Sequence, residues 1–148
     1  MPFLVTSTDR PPHLLDMRVG DDIQLQGYAI DTTSARPGDA LLLTLWWHAL
    51  AAPGDERSVL VQLLDRTGAI VAQADGPPAH GGHPTSQWQS GDTVIDSRQV
   101  ALPAQLPVGE YTLVFGMYRW PSLERLQMHS GANRQADDVA RLPITIER

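Results

Sequence analysis

The sequence predicts an all-β protein, an antiparallel β-sandwich of about seven to eight strands. Three observations support this prediction. Segments that alternate apolar and polar residues recur at a spacing of roughly ten residues, which is typical of sandwiches. Twelve glycines and twelve prolines interrupt a chain of only 148 residues, as expected for many short strands joined by turns. No segment keeps the helical period of about 3.6 residues over three turns.

The first nineteen residues are predicted to form a loose or edge segment. Pro2, Pro11 and Pro12 lie within it, and proline cannot donate a ladder hydrogen bond. We expect at most one short strand there, at residues 3–6. The length of the chain fits one domain, so we predict a single domain over residues 1–148, with its core in residues 20–148.

Seven segments have the alternation of a strand. In residues 40–49 both faces are apolar, which predicts a central or covered strand. In residues 111–118, which follow a turn at Gly109, one face is wholly apolar, with Leu113 and Phe115 directed to the core. Asp65 to Gly68 is predicted to be a hairpin turn. The predicted strands are 23–30, 40–49, 58–64, 69–74, 93–101, 111–118 and 140–147. The pattern favours an immunoglobulin-like sandwich, with a small β-barrel or jelly roll as the alternative.

Two segments are predicted to be irregular. Residues 75–92 form the longest stretch without periodicity, and loops of that length are usually functional or packed on themselves. We expect Trp88 to attach this loop to the body of the domain. Residues 119–138 are polar, with one short helical turn predicted at 123–128.

The composition excludes several classes of protein. The net charge is −6 and no cluster of Lys or Arg is present, so nucleic acid is a poor candidate partner. The absence of cysteine excludes disulfides and thiol catalysis. No apolar run approaches the roughly 20 residues of a membrane span, so we expect no direct membrane insertion by this segment. We see no signal peptide, and the sequence by itself leaves the localisation unknown: a cytoplasmic protein or a fragment of a larger one.

His80 and His83 have the spacing of a possible metal pair in the 75–92 loop. A metal site needs a third and a fourth ligand, and Asp75, Asp92 or His129 would have to fold close to supply them. Nothing in the sequence requires this folding. We therefore predict no metal and no cofactor.

The same loop offers two catalytic arrangements. Asp92 and Asp96 form a carboxylate pair, and Ser86 can be drawn with His83 and Asp92 as a triad. Such residues cap turns far more often than they catalyse, and no GxSxG motif surrounds Ser86. We predict a non-enzyme, with a small hydrolase or metal enzyme using the 75–92 loop as an alternative.

The aromatic residues favour a binding role. Trp120 is the best candidate for an exposed ring, because Arg119 and Pro121 flank it at a strand end. Exposed rings stack on the apolar faces of sugars while neighbouring polar side chains bond the hydroxyls. We predict a ligand rim made by residues 75–92 and 119–125. The predicted ligand-binding residues are Trp120, Arg119, Arg125, Gln87, His80 and His83.

Three blocks of the sequence carry a resemblance. They are GDALLLTLWWHAL, DGPPAHGGHPTSQWQSGDTVID and LPAQLPVGEYTLVFGMYRWPSLERLQ. Together they resemble the C-terminal β-sandwich accessory domains of bacterial polytopic membrane glycosyltransferases of the dolichyl-phosphate-mannose mannosyltransferase-like type. The resemblance runs from about residue 20 to residue 126. The family pattern has Asp, Thr and Gly where this chain has Arg119, Ser122 and Leu123, whereas Glu124, Arg125 and Leu126 agree.

The resemblance implies a non-catalytic module. In that family the transferase chemistry lies in the membrane-embedded part, which these residues lack. The accessory sandwich lies on the extracytoplasmic side, tethered to the membrane. The implied partners are a glycan, an envelope component, or the membrane-embedded transferase part of a longer chain. The alternative is a free-standing sandwich that binds other proteins.

Overall fold

The computed structural model describes residues 10–148, and it is a sandwich of two β-sheets packed face to face. The strands are β1 His13–Val19, β2 Ile23–Ile30, β3 Ser34–Ala35, β4 Ala40–Ala49, β5 Arg57–Leu64, β6 Ile70–Gln73, β7 Thr93–Ala101, β8 Gly109–Arg119, β9 Met128–Ser130, β10 Asn133–Arg134 and β11 Ala140–Ile146. Eight of these eleven strands have four or more residues. The predicted all-β sandwich is therefore confirmed.

The first sheet has the strand order β10-β9-β1-β2-β4-β7, and the second has the order β3-β11-β8-β5-β6. The pairing of β3 with β11 is parallel, and the other pairings are antiparallel. β4 lies between β2 and β7, and β8 lies between β11 and β5. The two segments with the strongest apolar patterns thus lie inside the two sheets with a paired strand on each side, although the outer face of β4 is partly open to solvent, with Leu42 47% exposed.

The core lies between the sheets. Alternate residues of β4 and β8 meet there, with Leu43, Trp47, Leu113 and Phe115 at most 1% exposed. This face of each strand is the one that the two-residue period predicts. β5 is buried on its other face as well, because Leu60 packs with side chains of β8 and of the segment before β11 in a second, smaller cluster.

The segment predicted to be loose contains a strand. β1 pairs with β2 and β9, and its Leu15, Met17 and Val19 are directed to the core. Pro11 and Pro12 precede the strand and do not interrupt its pairing, so the prediction of a loose segment over residues 1–19 is wrong from residue 13 onward. The strand predicted at residues 3–6 lies outside the described residues.

The helical turn predicted at residues 123–128 is also wrong. The Leu126 N–H donates to the carbonyl of Met117 at 3.0 Å, and Arg125 forms a bridge with Tyr118. The chain therefore returns beside β8 in an extended conformation and enters β9 at Met128. Pairing with β8 satisfies these backbone groups in place of a helix. No helix in the described part of the chain has the length and apolar character needed to cross a membrane.

Candidate functional site

The turn that follows β8 forms one corner of the sandwich. The N–H of Arg119, the last residue of β8, donates to the carbonyl of Glu124 at 2.7 Å, and the N–H of Leu123 donates to the carbonyl of Arg119 at 2.8 Å. These bonds close the turn at residues 119–124. Two large apolar side chains project from it: Trp120 is 57% exposed and Leu123 is 60% exposed. Three cavities surround this turn.

The tryptophan cavity has a volume of about 350 Å³. Besides Trp120, it is lined by Glu56, Arg57, Ser58, Gly76, Pro77 and Tyr118. The backbone N–H of Trp120 donates to the carbonyl of Glu56 at 3.1 Å, which holds the ring at the rim of the cavity. The cavity therefore combines an exposed aromatic ring with a carboxylate and a hydroxyl, the pairing of groups found in many small-molecule sites.

The arginine cavity has a volume of about 370 Å³. Its charged lining consists of Arg18, Arg57, Arg119, Arg125, Asp21, Asp22 and Glu124, with His129 beside them. Arg57 is buried, and its two terminal nitrogens donate to Asp22 at 2.6 and 2.8 Å. Burial opposes the charge of Arg57, but hydrogen bonds and charges of Asp22 and Asp55 outweigh this effect and raise its pKa. Arg57 thus forms a structural ion pair with Asp22 and lies in the wall between two cavities.

The leucine cavity has a volume of about 300 Å³ and lies on the outer face of the second sheet. It is lined by Leu60, Gln62, Asp75, Tyr118, Leu123 and Arg125. Burial raises the pKa of Asp75, against the hydrogen bond from the Val61 N–H at 2.8 Å and the charges of Arg98 and Arg125. Burial, together with the nearby Asp75, also raises the pKa of Tyr118.

Each pair of cavities shares one lining residue. Arg57 lines both the tryptophan and the arginine cavity, Tyr118 lines both the tryptophan and the leucine cavity, and Arg125 lines both the leucine and the arginine cavity. The three cavities are therefore neighbouring parts of one concave surface around the 119–124 turn. We call this surface the corner site.

The predicted ligand residues divide into two groups. Trp120, Arg119 and Arg125 line the corner site, whereas Gln87, His80 and His83 line none of its cavities. The two irregular segments were predicted to be neighbours. Among the three cavities they meet only at the start of the long loop, where Gly76 and Pro77 line the tryptophan cavity with Trp120. Sequence reasoning missed Tyr118, Glu56 and Ser58, whose contribution depends on strand pairing in the second sheet.

His80 contacts β7, whereas His83 contacts other residues of the long loop. His80 lies with its Nε2 2.9 Å from the carbonyl of Ser97. His83 stacks on Trp88 with ring centroids 6.2 Å apart, and its Nε2 lies 3.8 Å from a carboxylate oxygen of Asp92. Within residues 10–148, no three side chains of the metal-binding types His, Cys, Asp and Glu come together as a ligand group.

A buried ion pair beneath the long loop was also missed. Arg98 donates to Asp96 at 2.7 Å, and its remaining nitrogens donate to the carbonyls of Ala74, Gly76 and Pro77 at 3.0, 2.9 and 2.6 Å. The second oxygen of Asp96 accepts from the N–H of Ala79 at 2.9 Å. The signal was present in β7, where Asp96 and Arg98 alternate in register with the core residues Val94 and Val100.

This arrangement bears on the carboxylate pair considered for catalysis. Asp96 is fully buried and both of its oxygens are bonded, so it has no contact with solvent or with a substrate. Asp92 accepts a hydrogen bond from the Gln89 N–H at 2.9 Å, as a turn cap does. The two carboxylates therefore have separate structural roles.

No protein-family model matches the chain, and no curated protein sequence matches it. Several solved structures are similar to it. The C-terminal domain of Wzt superposes with a TM-score of 0.64 at 13% identity, over 94% of this chain and 83% of that domain. A Niemann-Pick type C2 protein from the Japanese carpenter ant superposes with a TM-score of 0.50 at 6% identity, over 93% of this chain and 98% of that protein. At these identities the similarity shows the fold alone, a β-sandwich.

Proposed function

We propose that this domain is a non-catalytic binding module and that its ligand is a carbohydrate held in the tryptophan cavity. The exposure of Trp120 carries this proposal. The other three tryptophans are at most 8% exposed, and Trp120 is the one exposed Trp, Tyr or Phe ring within residues 10–148. An apolar ring left in water at a cavity rim is available for stacking on the C–H face of a sugar.

The polar groups of the cavity complete the argument. Glu56 accepts a hydrogen bond from the Ser86 N–H through one oxygen, so the other oxygen is available for a sugar hydroxyl. Ser58 adds a hydroxyl from β5. Since β5 and β8 pair along the whole of β5, Ser58 is held on a paired strand and Glu56 directly precedes that strand, which limits the entropy lost when a ligand binds.

The first experiment is a glycan array followed by titration calorimetry on the wild type, Trp120→Ala and Trp120→Phe. We expect Trp120→Ala to lower the affinity at least about tenfold, or ~1.4 kcal/mol, and Trp120→Phe to retain part of it. Ile70→Ala is the matched control, because Ile70 is 52% exposed and pairs with Leu64 at the opposite end of the same sheet. Equal affinity in wild type and Trp120→Ala, or binding to no glycan, would refute the proposal and favour the protein-binding alternative.

We also propose the host of the module: a membrane glycosyltransferase, with the sandwich tethered on its extracytoplasmic side. The three sequence blocks between residues 38 and 127 support this proposal. The test is immunodetection of the native gene product. We expect a membrane-bound chain much larger than 16.2 kDa, from which external protease releases this domain. A free product of that mass in the soluble fraction would contradict it.

A further inference from the structure

We infer that the leucine cavity is a second sugar subsite and that the ligand is an oligosaccharide, with one residue stacked on Trp120 and its neighbour on Leu123. This inference rests on the proposed function and extends it from one sugar ring to two. Three observations support it: the conformation and exposure of Leu123, the chemistry of the cavity, and its position beside the tryptophan cavity.

Leu123 is unfavourable for the fold in two ways. Its φ is +67°, in the left-handed region that side chains other than those of glycine and asparagine rarely adopt. Its side chain is also 60% exposed, so it gains little from burial. Glycine at this position would form the same turn without strain. Strain that the fold does not need is typical of functional sites, and here it positions an apolar side chain over a cavity.

The cavity has one apolar and one polar side. Leu60, Leu123 and the ring of Tyr118 supply the apolar side, and Gln62 and Asp75 belong to the polar side. Such a lining matches a sugar ring, which has C–H faces and hydroxyl edges. A lipid chain fits poorly, because it would remove the polar groups from water without replacing their hydrogen bonds.

The polar groups have bonding capacity left. One oxygen of Asp75 accepts from the Val61 N–H, and the other is available. Arg125 also lines this side of the cavity. Its Nη1 donates to the carbonyl of Asp137 at 3.0 Å, and within residues 10–148 it forms no ion pair with a carboxylate. Its other donors therefore remain for a ligand.

The two subsites are adjacent. Tyr118 lines both cavities, and Trp120 and Leu123 project from the same closed turn, three residues apart. A ligand that leaves the tryptophan cavity past Tyr118 enters the leucine cavity. We therefore expect affinity to increase with the length of the saccharide.

The probes are length series from one to four residues of glucose, galactose, mannose and N-acetylglucosamine oligomers, titrated by calorimetry. In the series that binds, we expect the disaccharide to bind at least tenfold more tightly than the monosaccharide. Leu123→Gly should abolish this increase, so that the disaccharide binds this variant no more tightly than the monosaccharide does. Leu123→Asn should act as Leu123→Gly does, and Leu123→Met, which keeps an apolar side chain, should retain part of the increase.

The outcomes separate the two proposals. Equal affinity for mono- and disaccharide, lost in Trp120→Ala, would overturn the second subsite and leave the proposed function standing. If the affinity of Leu123→Gly still increases with the length of the saccharide, the role of Leu123 is also overturned. If no saccharide series binds, or if Trp120→Ala binds as tightly as the wild type, the proposed function and this inference are both overturned. Melting temperatures of the Leu123 variants exclude misfolding as the cause, since we expect no decrease for Leu123→Gly.

Discussion

The long loop at residues 75–92 and the short turn at residues 119–124 are both irregular and polar, but they differ in how their side chains are buried. Buried side chains attach the loop to the body of the domain. Trp88 is 1% exposed, Thr85 is fully buried, and Arg98 donates to two carbonyls at the start of the loop and to that of Ala74 just before it. Thr85 also accepts from the Arg57 N–H and donates to the Asp55 carbonyl. The loop therefore closes one side of the sandwich.

The turn has the reverse character. It is closed by backbone hydrogen bonds and by an ion pair between Arg119 and Glu124 at 3.1 Å, with no buried side-chain anchor among Trp120 and Leu123, which are exposed to solvent. The comparison shows that the length of an irregular segment is a weak guide to binding. Buried anchors indicate a structural segment, whereas apolar exposure combined with backbone strain at a cavity rim indicates a functional one.

The largest expected effect is on the loop anchor. Arg98→Met should lower the free energy of unfolding by about 5 kcal/mol, because it leaves the Asp96 carboxylate buried without its partner and several carbonyls without a donor. Urea unfolding measures this change. The control is Arg134→Met, since Arg134 pairs with Asp138 at the surface, where ion pairs contribute at most about 1 kcal/mol. Equal small losses in both variants would show that the loop is not anchored in this way.

The second comparison replaces one tryptophan in each region. Trp88→Ala should cost about 3–4 kcal/mol, because it leaves a cavity under the loop that the surface can only partly fill by collapse. Trp120→Ala should change the free energy of unfolding by less than about 0.5 kcal/mol, as expected for an exposed side chain. Calorimetric melting of the two variants tests the difference. A large loss in Trp120→Ala would mean that its ring supports the fold, and the binding proposal would lose its main observation.

The same contrast explains how far the sequence could predict the structure. Periodicity identified β2, β4, β5, β7, β8 and β11, because one apolar face on a core produces a local pattern, and the predicted turn at residues 65–68 identified β6 as the partner of β5. β1 was missed because Pro11 and Pro12 precede it and because its outward Leu14, which is 76% exposed, interrupts the alternation of apolar and polar residues. The alternation of β7 places Asp96 and Arg98 on its inward face, but it does not identify the loop groups that they bond, because those groups lie more than fifteen residues away.

The corner site was predictable only in part. Trp120 was recognised from local context, a ring between Arg119 and Pro121 at a strand end. The walls of its cavity come from Glu56 and Gly76, which are distant in sequence and meet Trp120 through the register of β5 with β8. A ligand role for His80, His83 and Gln87 stays a prediction. These residues lie outside the three cavities, so their role is separate from the proposals made for the corner site.

A smaller effect tests the strain in the turn. Leu123→Gly relieves a left-handed conformation that costs about 1–2 kcal/mol, and it loses about 0.4–1 kcal/mol through the more flexible unfolded chain. We expect a net gain of about 0.5 kcal/mol in urea unfolding. The matched control is Leu42→Gly, an exposed leucine within β4, which should lose about 1 kcal/mol because glycine weakens a strand interior. A loss of that size in Leu123→Gly would show that Leu123 stabilises the turn.

The smallest effect concerns Asp75, which begins the loop and also lines the leucine cavity. Burial raises its pKa, so the folded protein binds a proton there more tightly than the unfolded chain does. Ionisation of Asp75 therefore costs stability: the cost is absent below the ordinary pKa of 3.8 and develops as the pH rises through the pKa of the folded protein. Asp75→Asn removes this cost, and its side-chain oxygen can still accept from the Val61 N–H.

We therefore expect Asp75→Asn to melt slightly above the wild type at pH 7, with the difference vanishing below about pH 4. Asp138 supplies the opposite case, because its hydrogen bonds and ion pair with Arg134 lower its pKa. Asp138→Asn should melt below the wild type at pH 7, and this difference should also vanish as the pH falls through the pKa of the folded protein. Melting curves of the three proteins between pH 3 and 8 measure both signs. If Asp75→Asn melts below the wild type at pH 7, its carboxylate stabilises the fold, and Asp75 belongs with the anchors of the loop and not with the ligand groups of the corner site.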